Sequence, residues 1–405
     1  MPLPNAGSET MNERAAPAAG SSLDDLVEVM AILWPGARVT EGAGPGKSWL
    51  VLPNRRRPRL LVPASPRAAR NAVRRHSAAL TPAASLARAV AAFGAGALAR
   101  LPVVDRVSLR SSAGGIDEFL SEAFGQEVMV ALGIGKVRAN RKPVLAVFDS
   151  DGRPLGFAKV GHTEVSSRHV SGEARNLEIV SSHTFRTFVH PQVVRFDTWN
   201  GMPVLVMTAL RTPAWQGRNS RWNVPYEAIR ELSEAFGSRE SPLRELPFWR
   251  RAEELAAALR SDDVRKRVER CLRKTERRHG DTIVRSGAWH GDLTPWNIAR
   301  SHGILQIWDW ERFEVGVPAG LDAVHFVAQT YAWQHGFEVD RLLEGVIRAS
   351  AGSHVGSNGH AAGAAYLMSV ALRYLAASEE AGGEAILDRA LVTLGAWEKA
   401  LDIED

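Results

Sequence analysis

Over the carboxyl-terminal half of the chain, apolar residues recur every three to four positions, at 226–236, 248–259, 262–278, 321–331, 339–350, 361–377 and 384–401. That spacing matches the turn of an α-helix, so the region is predicted to be a helical lobe. Upstream the pattern changes. Short Val-, Leu- and Ala-rich runs at 127–132, 144–148, 155–160, 192–196 and 204–207 are bounded by Gly, Pro, Asn and Asp, the composition of strands between turns, and a short helix is predicted over 117–124. Asn200-Gly201 separates the last two runs, and this dipeptide favours a two-residue hairpin. Before residue 110 the chain alternates again. A helix is predicted at 23–33, two strands at 48–53 and 59–63 around the basic turn Asn54-Arg55-Arg56-Arg57-Pro58, and Ala- and Arg-rich helices at 66–75 and 82–100.

The chain thus divides into four regions: a disordered tail over 1–21, an accessory α/β region over 22–110, a strand-rich lobe over 111–210 and a helical lobe over 211–405. The fold class is α+β. The first 21 residues are rich in Ala, Pro, Gly and Ser and lack a basic start and an apolar core, so they read as a tail rather than a signal peptide. The apolar stretch 361–377 is interrupted by Arg373 and is too short to span a bilayer, so no membrane partner is expected.

Composition sharpens this picture only slightly. With 45% hydrophobic and 23% charged residues, the chain reads as an ordinary globular protein. A net charge of +5 mildly favours anionic ligands, but the excess is spread out, and nucleic acid is not expected as a partner. Cys271 is the single cysteine, which rules out an intrachain disulfide and fits a reducing cytoplasm.

Chemistry concentrates in Trp289-His290-Gly291-Asp292-Leu293-Thr294-Pro295-Trp296-Asn297 and Leu305-Gln306-Ile307-Trp308-Asp309-Trp310-Glu311. An aspartate stands five residues before an asparagine, and a second aspartate comes twelve residues later at the end of an apolar run. Between them, a predicted hairpin turns at Arg300-Ser301-His302-Gly303 and brings Asp309 back beside Asn297. One carboxylate to orient and deprotonate a hydroxyl, with an amide oxygen and a second carboxylate to hold magnesium against phosphates, is the set that phosphoryl transfer needs. Asp292, Asn297 and Asp309 supply it.

These residues, with Gly316, Pro318 and Asp322, resemble the catalytic core of the aminoglycoside phosphotransferase and choline kinase-like small-molecule kinases. The resemblance implies a protein kinase-like fold of two lobes, here with a small amino-terminal α/β extension. It also implies ATP and magnesium as cofactors, a small-molecule hydroxyl as acceptor, Asp292 as base, His290 as organiser of its loop, and Asn297 and Asp309 as metal ligands. Asp322 is expected to be structural, as a helix cap or a brace for the loop.

In such a fold the strand-rich lobe holds the nucleotide. Lys159, in Gly156-Phe157-Ala158-Lys159-Val160, is the candidate phosphate contact, and Glu173, opening the following helical run, is its candidate partner, with Glu164 and Glu178 as alternatives. Gly133-Ile134-Gly135-Lys136 opens a loop that would lie over the triphosphate, which makes Gly133, Gly135 and Lys136 candidates. The loop lacks a third glycine because Arg138 stands in that position. By resemblance, the segment through Met207 and Ala209 is the hinge whose backbone reads the adenine edge. The competing expectation is a catalytically idle kinase-like module that binds a nucleotide or a partner protein.

Overall fold

In the computed structural model, residues 23–42, 44, 46–76, 81–100, 105–110, 114–133, 142–211, 222–351 and 358–403 are described. The tail over 1–21 lies outside them, as do Gly135, Lys136 and Arg138.

The amino-terminal part begins with helix α1 (Leu23–Leu33), strands β1 (Arg38–Glu41), β2 (Lys47–Leu52) and β3 (Leu60–Pro63), helices α2 (Pro66–His76) and α3 (Pro82–Leu98), and strand β4 (Arg106–Arg110). Helix α4 (Ile116–Phe124) is next, then β5 (Met129–Gly133), β6 (Val144–Phe148) and β7 (Pro154–Val160). Helix α5 (Glu164–Ser181), the two-residue β8 (Phe188–Val189), β9 (Val193–Trp199) and β10 (Met202–Thr208) complete it.

The accessory region is not a separate cap. Its four strands continue the sheet of the strand-rich lobe, giving one antiparallel sheet in the order β1-β4-β2-β3-β5-β6-β7-β10-β9. Strands β1 and β4 were not legible in the sequence, since each pairs only with segments far along the chain. The accessory region and the lobe also share a core: Leu26, Met30, Trp34, Trp49 and Val51 pack with Ile116, Leu120, Leu132, Leu145 and Val204 on one face of the sheet. Trp34 Nε1 donates to Asp117 Oδ1 (2.5 Å), and Lys47 pairs with the other oxygen, tying the accessory region to α4. Both φ angles at Asn200-Gly201 are positive (47° and 77°), the geometry of the predicted hairpin between β9 and β10.

The carboxyl-terminal lobe contains α6 (Tyr226–Ala235), β11 (Glu240–Pro242), α7 (Pro247–Ala257), α8 (Asp262–His279), β12 (Ile283–Trp289), β13 (Ile298–Ser301), β14 (Ile304–Ile307) and β15 (Glu314–Pro318). It ends with α9 (Leu321–His335), α10 (Val339–Ser350), α11 (Gly359–Ser378) and α12 (Glu384–Ile403). The helices enclose a core that includes Trp249, Trp289, Tyr366 and Trp397, and Cys271 lies inside it as an inert thiol, pushed up to about 12 by burial. A further cluster bridges the lobes, joining Leu177, Leu205 and Met207 to Leu293, Ile307, Trp310 and Phe326. Among the described residues, no helix is long and apolar enough to cross a membrane.

Candidate functional site

The hairpin β13–β14 forms as the sequence predicts, with His302 and Gly303 both at positive φ (51° and 83°) and Ile298 opposite Ile307. Immediately past it, Trp308 N donates to Asn297 O (3.2 Å), so Asp309 emerges beside Asn297. Asp309 itself adopts a left-handed backbone (φ 73°, ψ 59°), which re-aims its side chain away from the strand direction.

Its carboxylate meets the lysine of β7. Lys159 Nζ donates to Asp309 Oδ1 (2.7 Å) and to both oxygens of Glu173 (2.6 Å each). The sequence placed Glu173 at the opening of a helix, but α5 begins nine residues earlier, where Thr163 and Ser166 form a reciprocal capping box. Glu173 is therefore mid-helix and fully buried, and Lys159 is its ion-pair partner. Burial alone would lower the Lys159 ammonium, but the adjoining Asp309 and Glu173 charges outweigh it and push it up. For Asp309 the balance runs the other way: burial opposes ionisation, and Lys159 and Lys142 hold the carboxyl far below its usual range.

Asp292 is held at both oxygens. Asn297 Nδ2 donates to Asp292 Oδ2 and to its backbone carbonyl (2.9 Å each), and His325 Nε2 faces Oδ1 at 3.2 Å. Because the Asn297 amide nitrogen is engaged in this way, its oxygen is the atom available to a cation. Behind the loop, Asp322 accepts from His290 N (2.7 Å) and Gly291 N (3.1 Å), acting as a brace. Gly320 occupies the cap position of α9, so the capping alternative for Asp322 does not hold. Burial pushes the Asp322 carboxyl up to about 7 against the pull of those two donors.

His290 is fully buried, and burial lowers it to about 4, so the ring is neutral. Its Nδ1 accepts from Asp292 N (3.2 Å), which places the proton on Nε2, where it is donated to Trp308 O (3.1 Å). One ring thus ties the loop of Asp292 to the strand end of Asp309. Gly291 stands at φ 78° with the Arg312 carbonyl where a Cβ would be, so only glycine fits between the two aspartates' supports.

Two contributors, His325 and Arg373, escaped sequence reasoning. His325 lies one helical turn after Asp322, and that i+3 spacing was the available signal. Arg373 reads in sequence as a break in an apolar helix, yet its Nη1 donates to Gly291 O (2.8 Å) from over the Trp289 ring. Lys142 pairs with Glu311 and lies 3.8 Å from Glu173, and the ligand atoms of Glu173, Asp309 and Glu311 all lie within 4.8 Å of one another. These three carboxylates are an all-oxygen donor set of the kind a hard cation such as magnesium takes.

The predicted nucleotide contacts fare unevenly. Gly133 ends β5, opposite Val144 and next to the loop. Ala209 N donates to Leu155 O (3.0 Å), and Met207 is paired opposite Phe157 with its side chain in the core, so neither amide is open to a base. The Ala209 carbonyl remains as the hinge group to consider.

No family model and no curated protein sequence matches the chain. Among solved structures, a thermostable mutant of aminoglycoside phosphotransferase APH(4)-Ia in its apo form matches with a TM-score of 0.50 at 15% identity, over 71% of this chain and 99% of that one. Aminoglycoside phosphotransferase APH(4)-Ia itself gives 0.47 at 13%, over 71% and 97%. A putative fructosamine-3-kinase from Haemophilus somnus 129PT gives 0.39 at 13%, over 70% and 96%. At such identities the likeness speaks for the fold, and it agrees with the sheet order and the interlobe cluster: the chain has the two-lobed fold of the small-molecule kinases that its catalytic-loop residues resemble.

Proposed function

We propose that the protein is an ATP- and magnesium-dependent phosphotransferase that moves the γ-phosphoryl group to a hydroxyl of a small molecule in the cytoplasm. The observation that supports this reading is the pair of hydrogen-bonded groups, Lys159 with Glu173 and Asp309, and Asp292 with Asn297 and His325, that the His290 ring links through Asp292 N and Trp308 O. Asp292, pinned by Asn297 and His325, orients the acceptor hydroxyl and takes its proton as the phosphoryl group transfers. Asn297 and Asp309 would hold magnesium, which supplies charge compensation along the phosphates. Lys159, positioned by Glu173, contacts the α and β phosphates, and His290 keeps the two aspartate-bearing segments in register.

With a positioned base removed, Asp292→Ala is expected to lower turnover by roughly 10² to 10⁴-fold. Mg-ATP affinity should persist, because this reading assigns Asp292 to the acceptor hydroxyl and not to the nucleotide. Steady-state ADP release across a panel of hydroxyl compounds, with calorimetric titration alongside, reads both quantities. Undiminished turnover would remove Asp292 from the mechanism.

A further inference from the structure

Strand alternation places Lys159 and Phe157 on the same sheet face as Ala146 and Phe148 of β6, Ala131 of β5, and Leu60 and Val62 of β3. This face is covered from two sides. Helices α2 and α3 of the extension pack over Val62, Ala131 and Phe148, while α5 and the interlobe cluster cover Leu205 and Met207. Between the two covers, Val144, Ala146 and Phe157 remain only half-buried, a strip that leads to Lys159. The phosphotransferase reading, on which the inference rests, makes this strip the roof of the nucleotide slot.

Helix α2, packed over β3, β5 and β6, lies beside it. Midway along it, Asn71 Nδ2 donates to Gly152 O (2.8 Å) in the β6–β7 turn, and a Cβ on Gly152 would meet Ala68 N, nearer the helix start. One turn after Asn71, on the same helix face, Arg75 Nη1 donates to Leu210 O (3.0 Å), just past β10 in the hinge. At the last residue of the helix, the exposed His76 ring comes within 3.4 Å of where a Cβ on Gly133 would stand, at the mouth of the phosphate loop. The last two residues of the helix therefore reach towards both ends of the slot, the Arg75 guanidinium to the hinge and the His76 imidazole to the end of β5.

We propose that α2 is the outer wall of the nucleotide slot, Arg75 lying against the base and ribose and His76 beside the phosphates. The amino-terminal extension is then part of the nucleotide site rather than an appendage. Arg75 also occupies the Leu210 carbonyl, so recognition of the base falls to the guanidinium and the Ala209 carbonyl.

The test uses the full chain, with Mg-ATP as probe. Hydrogen exchange over residues 66–76 should slow when Mg-ATP is added. By calorimetry, Arg75→Ala and His76→Ala should each weaken Mg-ATP about tenfold, roughly the loss of one good contact. Adenosine binding should suffer in Arg75→Ala and not in His76→Ala. If Arg75→Ala fails to fold, the exposed His76 and the exchange measurement on the unaltered chain still decide. Unchanged exchange in α2, together with Mg-ATP affinities within twofold of the unaltered chain, would overturn the wall while leaving the phosphotransferase reading intact. Absence of Mg-ATP binding by the unaltered chain would overturn both.

Discussion

Asp309 combines two costs that a protein rarely accepts without return: a left-handed backbone at a non-glycine residue and a half-buried carboxylate set beside other carboxylates. Lys159 offsets the second, and removing the carboxylate leaves that ammonium held only by Glu173. Asp309→Ala is therefore expected to abolish the magnesium dependence of nucleotide binding, measured as the ratio of ATP affinities with and without the ion. An unaltered ratio would take Asp309 out of the metal site. His290 yields a prediction about pH. The folded chain keeps it neutral with a pKa of about 4, whereas in the unfolded chain it protonates below about 6.5. Its contribution is complete above pH 6.5 and is lost as the pH falls towards 4, amounting to at most about 3 kcal/mol. Asp322, raised to about 7, slopes the opposite way in the same window, so the comparison that isolates His290 is between the unaltered chain and His290→Asn. Urea unfolding at pH 7.5 and 5 should show a smaller acid loss in the variant. At this scale the sequence was most legible where partners are close along the chain: Asp292, Asn297 and Asp309 share one short segment. Arg373 reaches the same loop through helix packing, which no local spacing encodes, and His325 is signalled only by its i+3 spacing from Asp322.

The elements that carry these residues depend on a few positions where backbone geometry admits one residue type. At Gly291 a side chain would meet both a positive φ and the Arg312 carbonyl, in the loop that Asp322 and Arg373 hold from either side. Gly291→Ala should lower the melting temperature and cost at least about 2 kcal/mol, the sum of backbone strain and a displaced support. Melting in parallel with Gly303→Ala, where a Cβ meets open space, separates the clash from the strain common to both. The hairpins at Asn200-Gly201 and His302-Gly303 were readable because their turns announce themselves in two residues. Strand β12 was not. Its Arg285-Ser286-Gly287 interrupts any alternation, and what makes it a strand is pairing with β11 and β15.

For the molecule as a whole, the nine-stranded sheet changes what counts as a domain. Composition suggests a boundary near residue 110, but β5 draws its outer partner from β3, and the core behind it includes Trp34, Trp49 and Val51. Deleting residues 1–110 would expose a β5 edge and open that core. The truncated chain is expected to lose its cooperative melting transition, followed by circular dichroism, and to aggregate. A soluble fragment with a sharp transition would restore the separate-domain view. Strand continuity also determines what can move. Because hydrogen bonds run unbroken from β1 to β9, any rocking of the upper lobe towards the catalytic loop carries α1, α2 and α3 with it as a single lever. A bulky tag or antibody fragment fixed near β1, at the far rim of the sheet, would then brake cleft closure from a distance.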